Sequence, residues 1–228
     1  MYERPTSLVG TMRFQTSGRG VSMGNKHGYV PKKRNSNTRK RKSIMLIVAE
    51  GENRTETNYF KFFPSERYRI RFVSGNDTDP VKMMRNLKRQ FSSLGLSSSN
   101  GDMGVSLIDT DCDVSKDVQI RLADELATKE VFQIVSSPCF ELWLLLHFCC
   151  TARQYSSSNE VVAFLKRELP TYSKSCETVL DQTFERIGSA VLNAKKLEEH
   201  CIRNGLSLHT VGFTPSSEVY KVVERLLD

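Results

Sequence analysis

Ile44-Met45-Leu46-Ile47-Val48-Ala49-Glu50-Gly51 is an unbroken aliphatic run that stops on a carboxylate and a glycine. Its length and lack of polar alternation predict a strand buried on both faces. Such strands belong to open α/β sheets, whose ligands sit at the carboxyl ends of the strands. Glu50 stands at that edge, and Gly51 lets the backbone turn without a side chain in the way. Gly104-Val105-Ser106-Leu107-Ile108 repeats the logic and leads into Asp109-Thr110-Asp111-Cys112-Asp113. If the two strands are parallel neighbours, Glu50 and the aspartates converge on one edge as a candidate metal site.

The rest of the chain fits this reading. A short helix is expected over 55–63, with Tyr59, Phe60 and Phe63 packing on the sheet and Pro64 stopping it. A strand follows over 68–73. Asp79-Pro80 then opens a helix carrying Val81, Met84, Leu87, Phe91 and Leu94 at 3–4 spacing. A Ser/Gly-rich loop covers 92–102, a helix spans 115–129 and a fourth strand 131–135. This alternation predicts an α/β fold, a parallel sheet flanked by helices with right-handed crossovers. Downstream, 140–148 reads as a nearly all-apolar helix inside the molecule. Amphipathic helices over 159–169, 184–202 and 217–227 make a helical C-terminal half.

Of 228 residues, the first 42 hold eleven Lys/Arg and one acid, leaving 22 bases against 25 acids in the remainder. The basicity therefore belongs to the tail. Residues 1–42 lack apolar periodicity and are expected to be a disordered basic arm able to neutralise nucleic-acid phosphates; residues 43–228 are the folded domain. The longest apolar stretch, 142–150, contains His147 and is too short to span a bilayer, and no apolar signal core opens the chain. Six cysteines without CxxC spacing read as reduced thiols, so a cytoplasmic protein is expected.

Mg²⁺ or Mn²⁺ suits the hard oxygens of Glu50, Asp109 and Asp111, with Asp113 a further metal ligand. Two such ions can clamp the attacking and leaving oxygens of a phosphodiester displacement. An EF-hand is rejected, because Val114 and Ile120 stand where that loop needs Gly and Glu. A haloacid-dehalogenase-type phosphatase also uses Asp-x-Asp after a strand, but leaves Glu50 without a role. Glu141, just inside an apolar helix, needs a partner or a cation; an N-terminal helix acid favoured by the macrodipole is the plainer alternative. His147 reads as a hydrogen-bonded core histidine and Trp143 as core. Lys195 and Lys196 are either a solvated pair or a source of one lysine for a phosphate or the metal-site acids.

Several of these motifs together resemble the RloB-like family, whose core is similar to a Toprim domain. They are Ile47-Val48-Ala49-Glu50-Gly51-Glu52 with Thr55-Glu56-Thr57-Asn58-Tyr59-Phe60; Asp109-Thr110-Asp111; Ser137-Pro138-Cys139-Phe140-Glu141-Leu142-Trp143; Asn193-Ala194-Lys195; and Thr214-Pro215-Ser216-Ser217-Glu218. The resemblance implies a Toprim-like parallel sheet binding Mg²⁺ or Mn²⁺. Glu50 would then be general base or metal ligand and Asp109 and Asp111 metal ligands, with Glu141 and Lys195 matching the extra acid and lysine of OLD-type nucleases. It also implies a nuclease acting on DNA or RNA, including tRNA, in antiviral defence or abortive infection, in places beside an ABC-type ATPase. Ser136-Ser137-Pro138 and Phe213-Thr214-Pro215 depart from the family's usual Ser-Asn-Pro and Asn-Pro. A reading from another class is a non-catalytic nucleic-acid- or partner-binding module with a silent core.

Overall fold

The computed structural model describes residues 41–50, 54–174 and 176–228. Five strands, β1 (Ser43–Val48), β2 (Tyr68–Phe72), β3 (Met103–Asp109), β4 (Val131–Ser137) and β5 (Ser216–Ser217), form one sheet in the order β2-β1-β3-β4-β5. The first four are mutually parallel, with Leu46 opposite Gly104 and Asp109 opposite Ser136. The sheet is nevertheless mixed: β5 pairs antiparallel to β4, Ser136 opposite Ser217. The expected α/β fold is present, with one antiparallel strand added at that edge of the parallel sheet. Ser217 reads as the start of a helix, but the backbone of Ser216 and Ser217 closes β4, and Glu218 N–H continues the pairing to the Val135 carbonyl at 3.1 Å.

The strand β1 is apolar throughout because both its faces are covered. Met45 and Ile47 enter one core layer with Tyr59, Phe60, Phe140 and Trp143. Ile44, Leu46 and Val48 enter the other, with Val81, Met84, Leu87 and Phe91. Burying each such side chain contributes about 1.5–3 kcal/mol, so a polar substitution on either face is costly. Gly104 lies where β3 passes under the preceding helix, and a Cβ there would sit 3.3 Å from Leu87 and Val131, so those side chains would have to give by a few tenths of an ångström.

Two helices cover the second layer, α1 (Arg54–Lys61) begins the first, and the rest of the first layer is the C-terminal half. The former are α2 (Pro80–Ser93), capped by the Asp79 carboxylate on Lys82 N–H, and α3 (Lys116–Leu126), which contributes Ile120 and Ala123. The latter comprise α4 (Glu141–Leu145), α5 (Ser158–Glu168), α6 (Val179–Thr183), α7 (Ile187–Arg203) and α8 (Val219–Leu227), with Leu165, Ala194 and Val223 among their core residues. The apolar 140–148 segment is buried as expected, but only its first part is α-helical. Asn193 Nδ2 donates to the Leu146 carbonyl at 2.9 Å just where the helix ends. Helix α6 carries too few residues for a periodic signal. The expected arm lies outside the described residues, apart from Arg41 and Lys42. No described helix is long and apolar enough to cross a membrane.

The segment between α7 and β5 is anchored by charge. His209, at φ 58°, places Nδ1 2.8 Å from Asp124 Oδ2 on α3 and Nε2 2.8 Å from Glu218 Oε2. Glu218 is buried and also accepts Val135 N–H at 2.9 Å. Burial opposes the charge on His209, but bonds to Asp124 and Glu218 outweigh it and raise its pKa to about 9. His147 is the opposite case. Buried, with Nδ1 donating to the Trp143 carbonyl at 2.9 Å, it is pushed down to about 4 and stays neutral.

A folded-state pKa above the unfolded value means that the stabilisation from His209 is complete below pH 6.5 and is lost as pH rises through about 9. Chemical denaturation of wild type should therefore show a decline over that window, of order 2–3 kcal/mol. The decline should be absent from His209→Ala.

Candidate active site

The carboxyl edge of the sheet collects acids from the connections that follow three neighbouring strands, β1, β3 and β4. Glu50 lies two residues past β1 and Asp109 is the last residue of β3. Asp111 follows in a tight turn where it and Cys112 both adopt left-handed backbone, φ 51° and 58°, a conformation that non-glycine residues rarely hold in succession. Asp111 N–H donates to the Pro138 carbonyl at 2.8 Å and Thr110 N–H to that of Ser136 at 3.0 Å. These bonds tie the turn after β3 to the segment after β4, which brings Glu141, the first residue of α4, to the same edge. Glu56 joins from the first turn of α1.

At the centre stands Lys116. Its ammonium lies 3.0 and 3.2 Å from the two Glu50 carboxylate oxygens, 2.8 Å from Asp111 Oδ2 and 2.9 Å from the Asp109 carbonyl. Burial opposes its charge, but the bonds to Asp111 and Glu50 hold its pKa above the ordinary lysine value. Asp111 also accepts Ser158 Oγ at 2.9 Å, and Glu141 accepts the Tyr172 hydroxyl at 2.8 Å.

Burial, with repulsion from neighbouring acids, raises the pKa of Glu50, Glu56 and Asp109. Desolvation is the largest cause for Glu50 and outweighs its lysine. Asp109 is pushed well above the carboxylate range by burial, then by the charges of Glu56, Glu141 and Asp111. Burial, with Glu141 adding to it, pushes Glu56 up to about 7. Glu56 is 3% exposed and its Oε2 has no hydrogen-bond partner. Cys139, beside Glu141 and Asp109, is held far above the thiol range, chiefly by burial, and is no nucleophile.

Thus Glu50, Asp109, Asp111 and Glu141 come together. Asp113 and Lys195 do not join them. Asp113 is exposed and accepts Ser115 N–H at 2.9 Å in the turn that leads into α3. Lys195 pairs with Glu224 of α8 at 2.6 Å, with its ammonium over the Tyr220 ring, so it links the two C-terminal helices. Sequence reading missed Glu56 and Lys116 as site residues. Glu56 falls three and four residues before Tyr59 and Phe60, so the periodicity that buries those rings buries this carboxylate as well. Lys116 opens a helix, where the macrodipole disfavours a cation, and a lysine there signals a compensating anion.

Among the described residues no group of three or more His, Cys, Asp or Glu side chains is gathered at metal-binding spacing. The donor chemistry nevertheless fits a hard divalent cation: carboxylate oxygens and a backbone carbonyl already surround one positive charge, that of Lys116.

The RloB-like protein family model matches residues 45–226. The chain belongs to the RloB-like family. The matched region runs from β1 into α8 and includes all five acids of the site and Lys116. No curated protein matches the chain, and no solved structure does.

Removing the central cation should expose the repulsion it offsets. Lys116→Met is expected to lower stability in EDTA by about 1–2 kcal/mol at pH 8, a figure discounted for the half-exposed Asp111. The deficit should shrink at pH 5, because burial raises the Glu50 pKa and acidification brings its carboxylate toward neutrality. Thermal melts at the two pH values check this; an equal deficit at both would assign the loss to packing.

Proposed function

We propose that this RloB-like protein is a metal-dependent nuclease with a Toprim-like core, hydrolysing phosphodiesters of DNA or RNA, tRNA included. The observation that carries the reading is the gathering of the Glu50 and Asp111 carboxylates and the Asp109 backbone carbonyl around a single cation position at the carboxyl edge of the sheet. The antiviral setting and an ABC-type ATPase partner come with the family resemblance.

Glu50, Asp109 and Asp111 would hold Mg²⁺ or Mn²⁺. Such an ion supplies Lewis-acid stabilisation of phosphate charge and a more acidic water. Glu56, with its carboxyl near 7, can take or return a proton at Oε2 at neutral pH, as a general base or acid requires. Tyr172, bridging Glu141 and Thr55 Oγ1, fixes the Glu141 carboxylate and ties α1 to the segment before α6. Lys116 neutralises Glu50 and Asp111 and so keeps like charges from splaying the edge apart.

The test is cleavage of plasmid, single-stranded DNA and total tRNA with Mg²⁺, Mn²⁺ or EDTA. Asp109→Asn and Asp111→Asn should each lose on the order of a hundredfold or more of any metal-dependent cleavage, since even outer-shell changes at metal sites cost 10–100-fold. Cleavage that persists in EDTA or in both variants would sink the proposal. A second reading, a silent core that only binds, is favoured by Lys116 already filling the cation position. Under it, Mn²⁺ titrated into the protein gives no binding heat, and nucleic-acid affinity is the same with EDTA as with metal.

A further inference from the structure

The acidic site poses a question of recognition, because its charge repels a polyanion. The answer lies on the neighbouring flank. Residues 67–93, covering β2 and α2, contain seven Lys/Arg and two acids, whereas the rest of the chain from 43 to 228 has fifteen bases and 23 acids. The positive charge of the folded body is thus concentrated in one strand and one helix.

These two elements present it on one face. In β2, Tyr68 is buried in the first core layer, with Ile70 and Phe72 packed against that layer, which leaves Arg69 and Arg71 directed to the other face. They pair in register with Ile44 and Leu46, whose side chains enter the layer covered by α2. Helix α2 lies over β1, β3 and β4, so this face of the edge strand stays open and both arginines are exposed. Along α2, Lys82, Arg85 and Arg89 are exposed at three- and four-residue spacing. Asn86 and Gln90 of the same helix donate to the Ser74 carbonyl just past β2, at 3.1 and 2.9 Å. The Arg89 guanidinium donates to Asn86 Oδ1 at 2.8 Å, on the side of α2 that borders β2. None of these five cations has a carboxylate partner within salt-bridge distance among the described residues, whereas Lys116, Lys195 and Lys221 all do.

We infer that the flank formed by β2 and α2 is a nucleic-acid backbone track leading to the carboxylate site. The inference rests on the nuclease reading for what the track feeds. Direction supports it. Helix α2 begins, and β2 ends, at the same sheet edge as Glu50. Arg71 pairs with Leu46, four residues before Glu50, a rise of about 13 Å along the strand. Arginine forks bind phosphates bidentately, and Asn86 and Gln90 are engaged with the Ser74 carbonyl, so the track is assigned to the phosphate backbone.

The experiment is fluorescence anisotropy of a labelled single-stranded oligonucleotide with the full chain in EDTA, so that binding is read without turnover. Arg69→Gln/Arg71→Gln and Arg85→Gln/Arg89→Gln are compared with Lys166→Gln/Arg167→Gln on α5, which removes the same charge elsewhere. Each track pair should weaken binding roughly tenfold at physiological ionic strength and reduce the salt slope by about 0.7 per arginine. The α5 pair should leave the slope at the wild-type value. Track variants that match the α5 control in affinity and slope overturn the inference. So does a loss confined to anionic vesicles, which would give the flank to a membrane surface. Failure of the nuclease reading appears separately, as absent cleavage alongside intact track-dependent binding.

Discussion

Acids gathered on one partly buried edge cannot all remain ionised without a positive charge among them. In this fold that charge is the Lys116 ammonium, and much of the site's local structure serves to place it. The first residue of α3 must lie opposite the end of β1, so the turn after β3 has to be short and sharply reversed. That requirement explains why Asp111 and Cys112 take left-handed backbone and why the turn is bonded to the Pro138 and Ser136 carbonyls. A looser turn would leave Glu50, mostly shielded from water, without a counter-charge.

The same constraint divides the acids by function. Glu50 and Asp111 share the lysine, whereas Glu56 has none within bonding reach, and burial, with repulsion from Glu141 added, moves its pKa into the neutral range. One edge therefore offers paired carboxylates suited to holding a cation and a carboxyl suited to exchanging a proton. Two roles arise from one residue type because burial and neighbours differ.

Much of this was legible in the chain. The apolar runs at 44–48 and 104–108 are parallel neighbours because each must be covered on both faces, and pairing them places Glu50 beside Asp109. Glu141 was legible as a carboxylate inside an apolar helix. Two residues escaped because their signals are relational. Glu56 looks like an ordinary first-turn acid until the burial of Tyr59 and Phe60 fixes its face, and Lys116 looks like a solvated lysine until the turn before it is known. Lys195 misled in the reverse direction. Its resemblance-based role gives way to a pair with Glu224, because position 195 of α7 borders α8. The antiparallel β5 escaped because two serines bear no strand pattern; only the free edge of β4 recruits them.

Under the proposed nuclease reading, charge segregation connects the fold to substrate approach. A site of clustered carboxylates is electrostatically closed to a phosphate chain unless positive potential nearby outweighs it. In an open sheet, an edge strand can leave its second face uncovered, so β2 can carry arginines where the inner strand β1 carries Ile and Leu. The strand β2 does so, and α2, which crosses from the site's edge back along the sheet, extends the charge without intruding on the acids. Repulsive site and attractive flank are thus consequences of one topology: the buried centre of the sheet ends in carboxylates, and its exposed border is free to be basic.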